Sequence, residues 1–208
     1  MKFKHIIWDY DGTLFDSYPI MAAAFNDILI KRGIIEPINT IISFMKVSMG
    51  DAIKHYKKKY QLDDAFFEHF KTLSKKTEME QTKPFDGAVE LCNTICKHGG
   101  KNYLVTHRGE SAIYFMKQYE LMANFTELIT SKQNFSRKPS PEAILYLIHK
   151  YGFSQNEAIM IGDRDLDILS GINAGIHTCY FTDRSEISDM AEFNISSLIE
   201  LYGILDID

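Results

Sequence analysis

The chain is 208 residues long, with 28 acidic against 23 basic side chains and a net charge of −5. That length fits one domain, or one domain carrying a substantial insert. Apolar residues at 45% and aromatic residues at 12% exclude intrinsic disorder. The mild acidity argues against nucleic acid, because a phosphate-backbone binder needs a concentrated basic face.

The apolar run from Phe3 to Trp8 is short and bulky, as a buried strand should be, and it stops at a turn signal, Asp9-Tyr10-Asp11-Gly12-Thr13. It is also too short for a signal peptide, and no stretch approaches the length of a membrane span, so a cytoplasmic protein without a membrane partner is expected. From Ser17 onward the spacing is helical. One helix is predicted from Ser17, as N-cap with Pro19 in the first turn, to Gly33. A second sets Ala52, Ile53, Tyr56 and Tyr60 on one face, and a third gathers Phe66, Phe67, Phe70 and Leu73. Residues 17–83 are thus expected to form an all-helical unit inserted into a domain made of 1–16 and 84–208. Lys46-Val47-Ser48-Met49-Gly50 reads as the flexible break between its helices, Lys57-Lys58-Lys59 as a solvated helix face, and Asp16 as a hinge residue.

After Pro84 the rhythm changes. Asp86 is predicted to cap a helix whose face holds Ala88, Leu91, Cys92, Ile95 and Cys96, ending at Gly99-Gly100. Cys92 and Cys96 read as buried packing; with Cys179 they make three cysteines, which is no disulfide framework and no zinc set. A strand from Asn102 to Thr106, a helix from Glu110 to Tyr119 and a weaker strand at Leu128-Ile129-Thr130 follow. Ser140-Pro141 opens a helix closed by Gly152; Ala158 to Ile161 is a strand, Asp165 to Ala174 a helix, and His177 to Phe181 the last strand. Strands alternating with helices imply an α/β class, a Rossmann-like parallel sheet covered on both faces.

In such a sheet, ligands bind beyond the carboxyl ends of the strands. The residues there are Asp9 and Asp11 after the first strand, Thr106-His107-Arg108 after the second, and Asp163 and Asp167 after the fourth, with Lys138 in a preceding loop. Two like charges about 4 Å apart repel by roughly 4 kcal/mol at an effective dielectric near 20. Several Asp in one crevice must therefore share a cation or hold protons. Oxygen ligands of this kind suit Mg²⁺ together with a substrate phosphate. Four carboxylates against the single ammonium of Lys138 leave −3, which predicts that metal must bind before phosphate does.

Asp9-Tyr10-Asp11-Gly12-Thr13-Leu14, Thr106, Lys138-Pro139 and Gly162-Asp163-Arg164-Asp165-Leu166-Asp167 resemble, in order and separation, the four motifs of the haloacid dehalogenase-like hydrolases. The helical insert resembles the cap of the phosphoglycolate phosphatase-like and beta-phosphoglucomutase-like branch. The resemblance implies a phosphatase of small phosphate esters in which Asp9 is the nucleophile and Asp11 the general acid and base. It implies that Thr106 holds the phosphoryl group, assisted by backbone N–H groups after Asp9 and Thr106, with Gly12 and His107 among the substrate-binding residues, while Lys138 offsets negative charge. Mg²⁺ would lie among Asp9, Asp163 and the Asp11 carbonyl, with Asp167 supporting the metal site or Lys138. His107 and Arg108 read as substrate contacts, or, equally, Arg108 as a solvated residue opening its helix. Lys46 is a further candidate contact to an anionic substrate, and the cap is expected to select substrate and exclude water. A phosphomutase of the beta-phosphoglucomutase type and a regulatory module that binds phosphate without turnover are the alternatives. A phosphonate hydrolase would need a Schiff-base lysine in the cap, for which Lys46 and Lys54 are available.

Overall fold

In a computed structural model, which describes residues 1–183 and 187–208, the chain divides into two compact units, one of residues 1–15 and 84–208 and the other of residues 16–83. The larger unit is built on six parallel strands in the order β3-β2-β1-β4-β5-β6. These are β1 (His5–Trp8), β2 (Lys101–Val105), β3 (Phe125–Ile129), β4 (Ala158–Gly162), β5 (His177–Phe181) and β6 (Phe193–Ile195). Alternation along β1 serves both faces of the sheet. Ile6 and Trp8 join Leu104, Ile159, Ile161, Cys179 and Phe181 in one core, whereas Ile7 joins Tyr103, Val105 and Met160 in the other.

Helices of the larger unit cover its sheet. In the smaller unit the helices are α1 (Tyr18–Lys31), α2 (Ile38–Val47), α3 (Met49–Tyr60) and α4 (Asp64–Gln81). In the larger unit they are α5 (Ala88–Lys97), α6 (Glu110–Gln118), α7 (Glu142–Tyr151), α8 (Asp165–Asn173) and the short α9 (Leu201–Leu205). The α5 and α6 side chains Leu91, Ile95 and Phe115 fill the first core, and Ile144 and Leu147 of α7 fill the second. The helical unit has a core of its own, in which Phe25 meets Tyr56, Phe66 and Phe70 at ring-centroid distances of 5.0, 5.5 and 4.9 Å. No helix among the described residues is long and apolar enough to cross a membrane.

Several local expectations are corrected. Ser17 is the N-cap of α1, as expected, although its side chain makes no capping hydrogen bond, and α5 opens on Gly87, at φ 80°, rather than on Asp86. The N-cap of α7 is Pro141; Ser140 Oγ accepts the Glu142 N–H at 3.3 Å one step earlier. The break between α2 and α3 is one residue, Ser48, whose Oγ accepts the Asp51 N–H at 2.9 Å, so no five-residue loop exists there. Cys92 is buried, but Cys96 is exposed and its thiol donates to the Asn124 carbonyl at 3.3 Å. Lys59 is not merely solvated: its ammonium reaches both oxygens of the buried Glu36 at 2.9 and 3.0 Å. Lys46 stands over the Tyr18 ring at 5.6 Å within the helical unit.

Candidate active site

The strand order reverses direction at β1, because the chain visits β2 and β3 on one side of it and β4 to β6 on the other. Ligands collect at such a switch point. Register sets Trp8 beside both Leu104 and Ile161, and the Asp9 N–H donates to the Ile161 carbonyl at 2.9 Å. The first polar residues beyond β1, β2 and β4 are therefore delivered to one rim.

At its centre lies Lys138, whose side chain is 3% exposed. Its Nζ donates to Asp9 Oδ1 at 2.6 Å and pairs with Asp167 Oδ1 at 2.8 Å. Asp9, Asp163 and Asp167 are all buried, and each offers an oxygen within 4.8 Å of the others. Asp9 Oδ2 is enclosed without a hydrogen-bond partner among the described residues. Removing ionised groups from water is expensive unless they are paired. An ammonium held between two carboxylates meets that condition, but three carboxylates and one orphaned oxygen still favour a further cation. Hard oxygen donors in this arrangement fit a small divalent ion.

Burial, reinforced by Asp167 and opposed by Lys138 and Arg164, pushes the Asp9 carboxyl up to about 6. Burial acts against the Lys138 charge, yet Asp167 and Asp9 together hold its ammonium above the usual lysine value. Asp167 moves the other way: despite burial, Lys138 and Arg164 keep it below the usual carboxylate range.

Asp167 lies in the first turn of α8, where its Oδ2 accepts the Arg164 N–H at 3.2 Å. Arg164 Nε also lies 3.3 Å from Asp167 Oδ2 and 4.0 Å from Asp163 Oδ1. Gly162 is required at the end of β4, because a Cβ there would overlap the Asp167 Cβ. The close approach of α8 to β4 is what seats Asp167 under Lys138.

The remaining candidates are placed as follows. Thr106 is buried, its N–H donates to the Ile129 carbonyl at 2.9 Å, and its Oγ1 accepts the Arg108 N–H at 3.1 Å. His107 accepts the Lys138 N–H on Nε2 at 3.1 Å, so that nitrogen holds the lysine loop in place. Burial, with Lys138, Arg137 and Arg164 nearby, lowers its imidazole to about 4, which keeps it neutral and an acceptor. Gly12, at φ 74°, makes the turn after Asp11, and its N–H donates to the Phe15 carbonyl at 2.9 Å. Of the four rim carboxylates Asp9, Asp11, Asp163 and Asp167, Asp11 alone is not buried; both of its oxygens accept from Arg108 Nε, at 2.7 and 2.8 Å.

Sequence reasoning left Arg108 undecided and gave Arg164 no role. Arg164 carried a signal, since a basic residue three positions before Asp167 on a helix start lies within reach of it. Arg108 and Asp11 follow adjacent parallel strands, and only the register shows that they meet.

The chain is similar to known proteins over most of its length. Over 208 residues the chain is 27% identical to a phosphoglycolate phosphatase of Aquifex aeolicus, covering 94% of this chain and 95% of that one. It is 24% identical over 182 residues to a 5'-nucleotidase of Pseudomonas aeruginosa, covering 85% and 81% of the two chains. The crystal structure of a hydrolase from Streptococcus pneumoniae superposes with a TM-score of 0.74 at 34% identity, covering 100% of both chains. Residues 6–181 match the family described as haloacid dehalogenase-like hydrolase, and the chain belongs to that family.

Proposed function

We propose that the protein is a Mg²⁺-dependent phosphatase that hydrolyses small phosphorylated metabolites through an aspartyl-phosphate on Asp9. The observation that carries this reading is the buried ammonium of Lys138 held between Asp9 and Asp167, with Asp163 beside them and Asp9 Oδ2 left without a partner among the described residues. A purely structural role offers no return for burying that much charge. The relatives named for phosphate-ester hydrolysis support the same class. The three cysteines are free thiols, which suits a reducing compartment such as the cytoplasm.

In this reading an Asp9 carboxylate oxygen attacks phosphorus while the bond to the ester oxygen breaks. Asp11 gives its proton to the departing oxygen and then takes one from water, which attacks phosphorus and frees Asp9 and inorganic phosphate. Lys138 holds Asp9 in place and offsets charge on the phosphoryl oxygens, which the Thr106 hydroxyl also meets. His107 acts indirectly, by fixing the backbone of Lys138. Asp9, Asp163 and the Asp11 carbonyl would hold Mg²⁺, which supplies neutralisation of the phosphoryl charge.

The test is phosphate release from a panel containing phosphoglycolate, glucose 6-phosphate, glycerol phosphate, nucleoside monophosphates and 4-nitrophenyl phosphate. Activity should vanish with EDTA, return with Mg²⁺, and fall by at least about 10³-fold in Asp9→Asn. Metal-independent turnover, or turnover surviving that substitution, would sink the mechanism. Isomerised sugar phosphate in place of inorganic phosphate would point to a phosphomutase.

A further inference from the structure

Arg108 is braced at three points, two on its backbone and one on its side chain, besides the contact with Asp11. Its N–H donates to Thr106 Oγ1 at 3.1 Å, and its carbonyl accepts the Ser131 N–H at 2.9 Å. Its guanidinium stands over the Tyr10 ring at 5.2 Å. From that base Nε reaches both oxygens of Asp11, with the two side chains 12% and 21% exposed. A planar guanidinium whose backbone is already fixed fixes the carboxylate it binds, as a lysine on a free stem does not. Asp11 follows β1 in a turn, and its carboxylate is the most accessible of the four on the rim. It is also the one whose proposed task, moving a proton at the ester oxygen, is most sensitive to placement.

We propose that Arg108 is the positioning residue for Asp11: it holds the Asp11 carboxylate at the ester oxygen and, through its own N–H, ties that placement to Thr106. This inference rests on the phosphatase reading and adds to it a residue that touches neither phosphorus nor the nucleophile. If the ion pair merely joined two loops, its loss would lower stability and leave the chemistry indifferent to the leaving group. A positioning role predicts a leaving-group dependence. An alkyl phosphate expels a basic alkoxide that needs the Asp11 proton, whereas 4-nitrophenyl phosphate expels a phenolate that does not. Because kcat/KM reports only the steps through ester cleavage, it isolates that difference.

The experiment measures kcat/KM of wild type, Arg108→Gln and Arg108→Lys for 4-nitrophenyl phosphate and for the best alkyl phosphate of the panel, with Tm alongside. Arg108→Gln is expected to lose about 10- to 100-fold on the alkyl ester and less than about 3-fold on the aryl ester, with Arg108→Lys between it and wild type. In an Asp11→Asn background the Arg108→Gln substitution should cost no further factor on the alkyl ester. Equal losses on both esters in both Arg108 variants, or a full further loss in the Asp11→Asn background, would overturn the proposal and leave the phosphatase reading standing. A wild-type protein that hydrolyses neither ester would overturn that reading and the proposal with it.

Discussion

At Asp9 two physical demands conflict. A nucleophile must be ionised, yet burial and the neighbouring Asp167 raise the carboxyl from 3.8 to about 6. The folded chain therefore holds a proton on Asp9 where the unfolded chain has lost it, so this residue's contribution to stability falls as pH rises from about 4 to about 6. His107 acts in the opposite sense. With its imidazole lowered from 6.5 to about 4, the folded chain binds fewer protons than the unfolded one, and stability falls as pH drops through that range. Asp9→Asn separates the two, because it removes only the first. Urea unfolding in EDTA should show the variant more stable than wild type at pH 7, by on the order of 1–3 kcal/mol, with little difference at pH 4. An equal difference at both pH values would mean that the Asp9 charge is not the source.

At the scale of elements, the site depends on how closely α8 approaches β4. Two glycines permit that approach at different places. A Cβ on Gly162 would overlap Asp167, and a Cβ on Gly171 would lie 2.7 Å from Thr178 Cγ2 and 2.9 Å from Met160 Cβ. Both alanine variants should lose about 1–3 kcal/mol by overpacking. Only Gly162→Ala should lose most of its activity, since it displaces the carboxylate that supports Lys138; thermal melts paired with phosphate release would show this. Comparable activity in the two variants would detach Asp167 from the function.

What was legible in the sequence follows the same scale. Strands such as Ala158–Gly162, with a continuous buried run and a glycine stop, were readable because periodicity and punctuation agree. The edge strand Phe193–Ile195 has three residues and no period to detect. Helix α2 buries Ile41, Ile42 and Met45 at helical spacing, but its β-branched residues blurred its limits, and the single residue Ser48 separating it from α3 read as a loop. Asp9, Asp11 and Asp163 were found because each follows a strand at a turn signal, whereas Lys138, by itself an ordinary surface lysine, stood out only through its place before Pro139 among the resembling motifs. The arginine partner of Asp11 was not found, because Arg108 and Asp11 lie on separate loops and announce no pairing until strand register is known; Arg164, three positions before Asp167, was within local reach.

Over the whole molecule, a net charge of −5 conceals a local balance. Counting Lys138 alone left the rim at −3 and implied that phosphate would be repelled until metal arrived. The structure adds Arg108 against Asp11 and Arg164 against Asp167, so four carboxylates face three cations and the deficit is a single charge. One divalent ion would turn that deficit into a net positive site for a phosphate ester, a local field that the overall acidity does not forbid. The central claim is nevertheless chemical and local: phosphorus is transferred to Asp9 before water. Rapid quenching of a turnover mixture with 4-nitrophenyl phosphate, borohydride reduction and peptide mass spectrometry test it directly. Asp9, and no other carboxylate, is expected to be converted to homoserine, with no conversion in Asp9→Asn. Full turnover with an unmodified Asp9 peptide, or label on another residue, would contradict it.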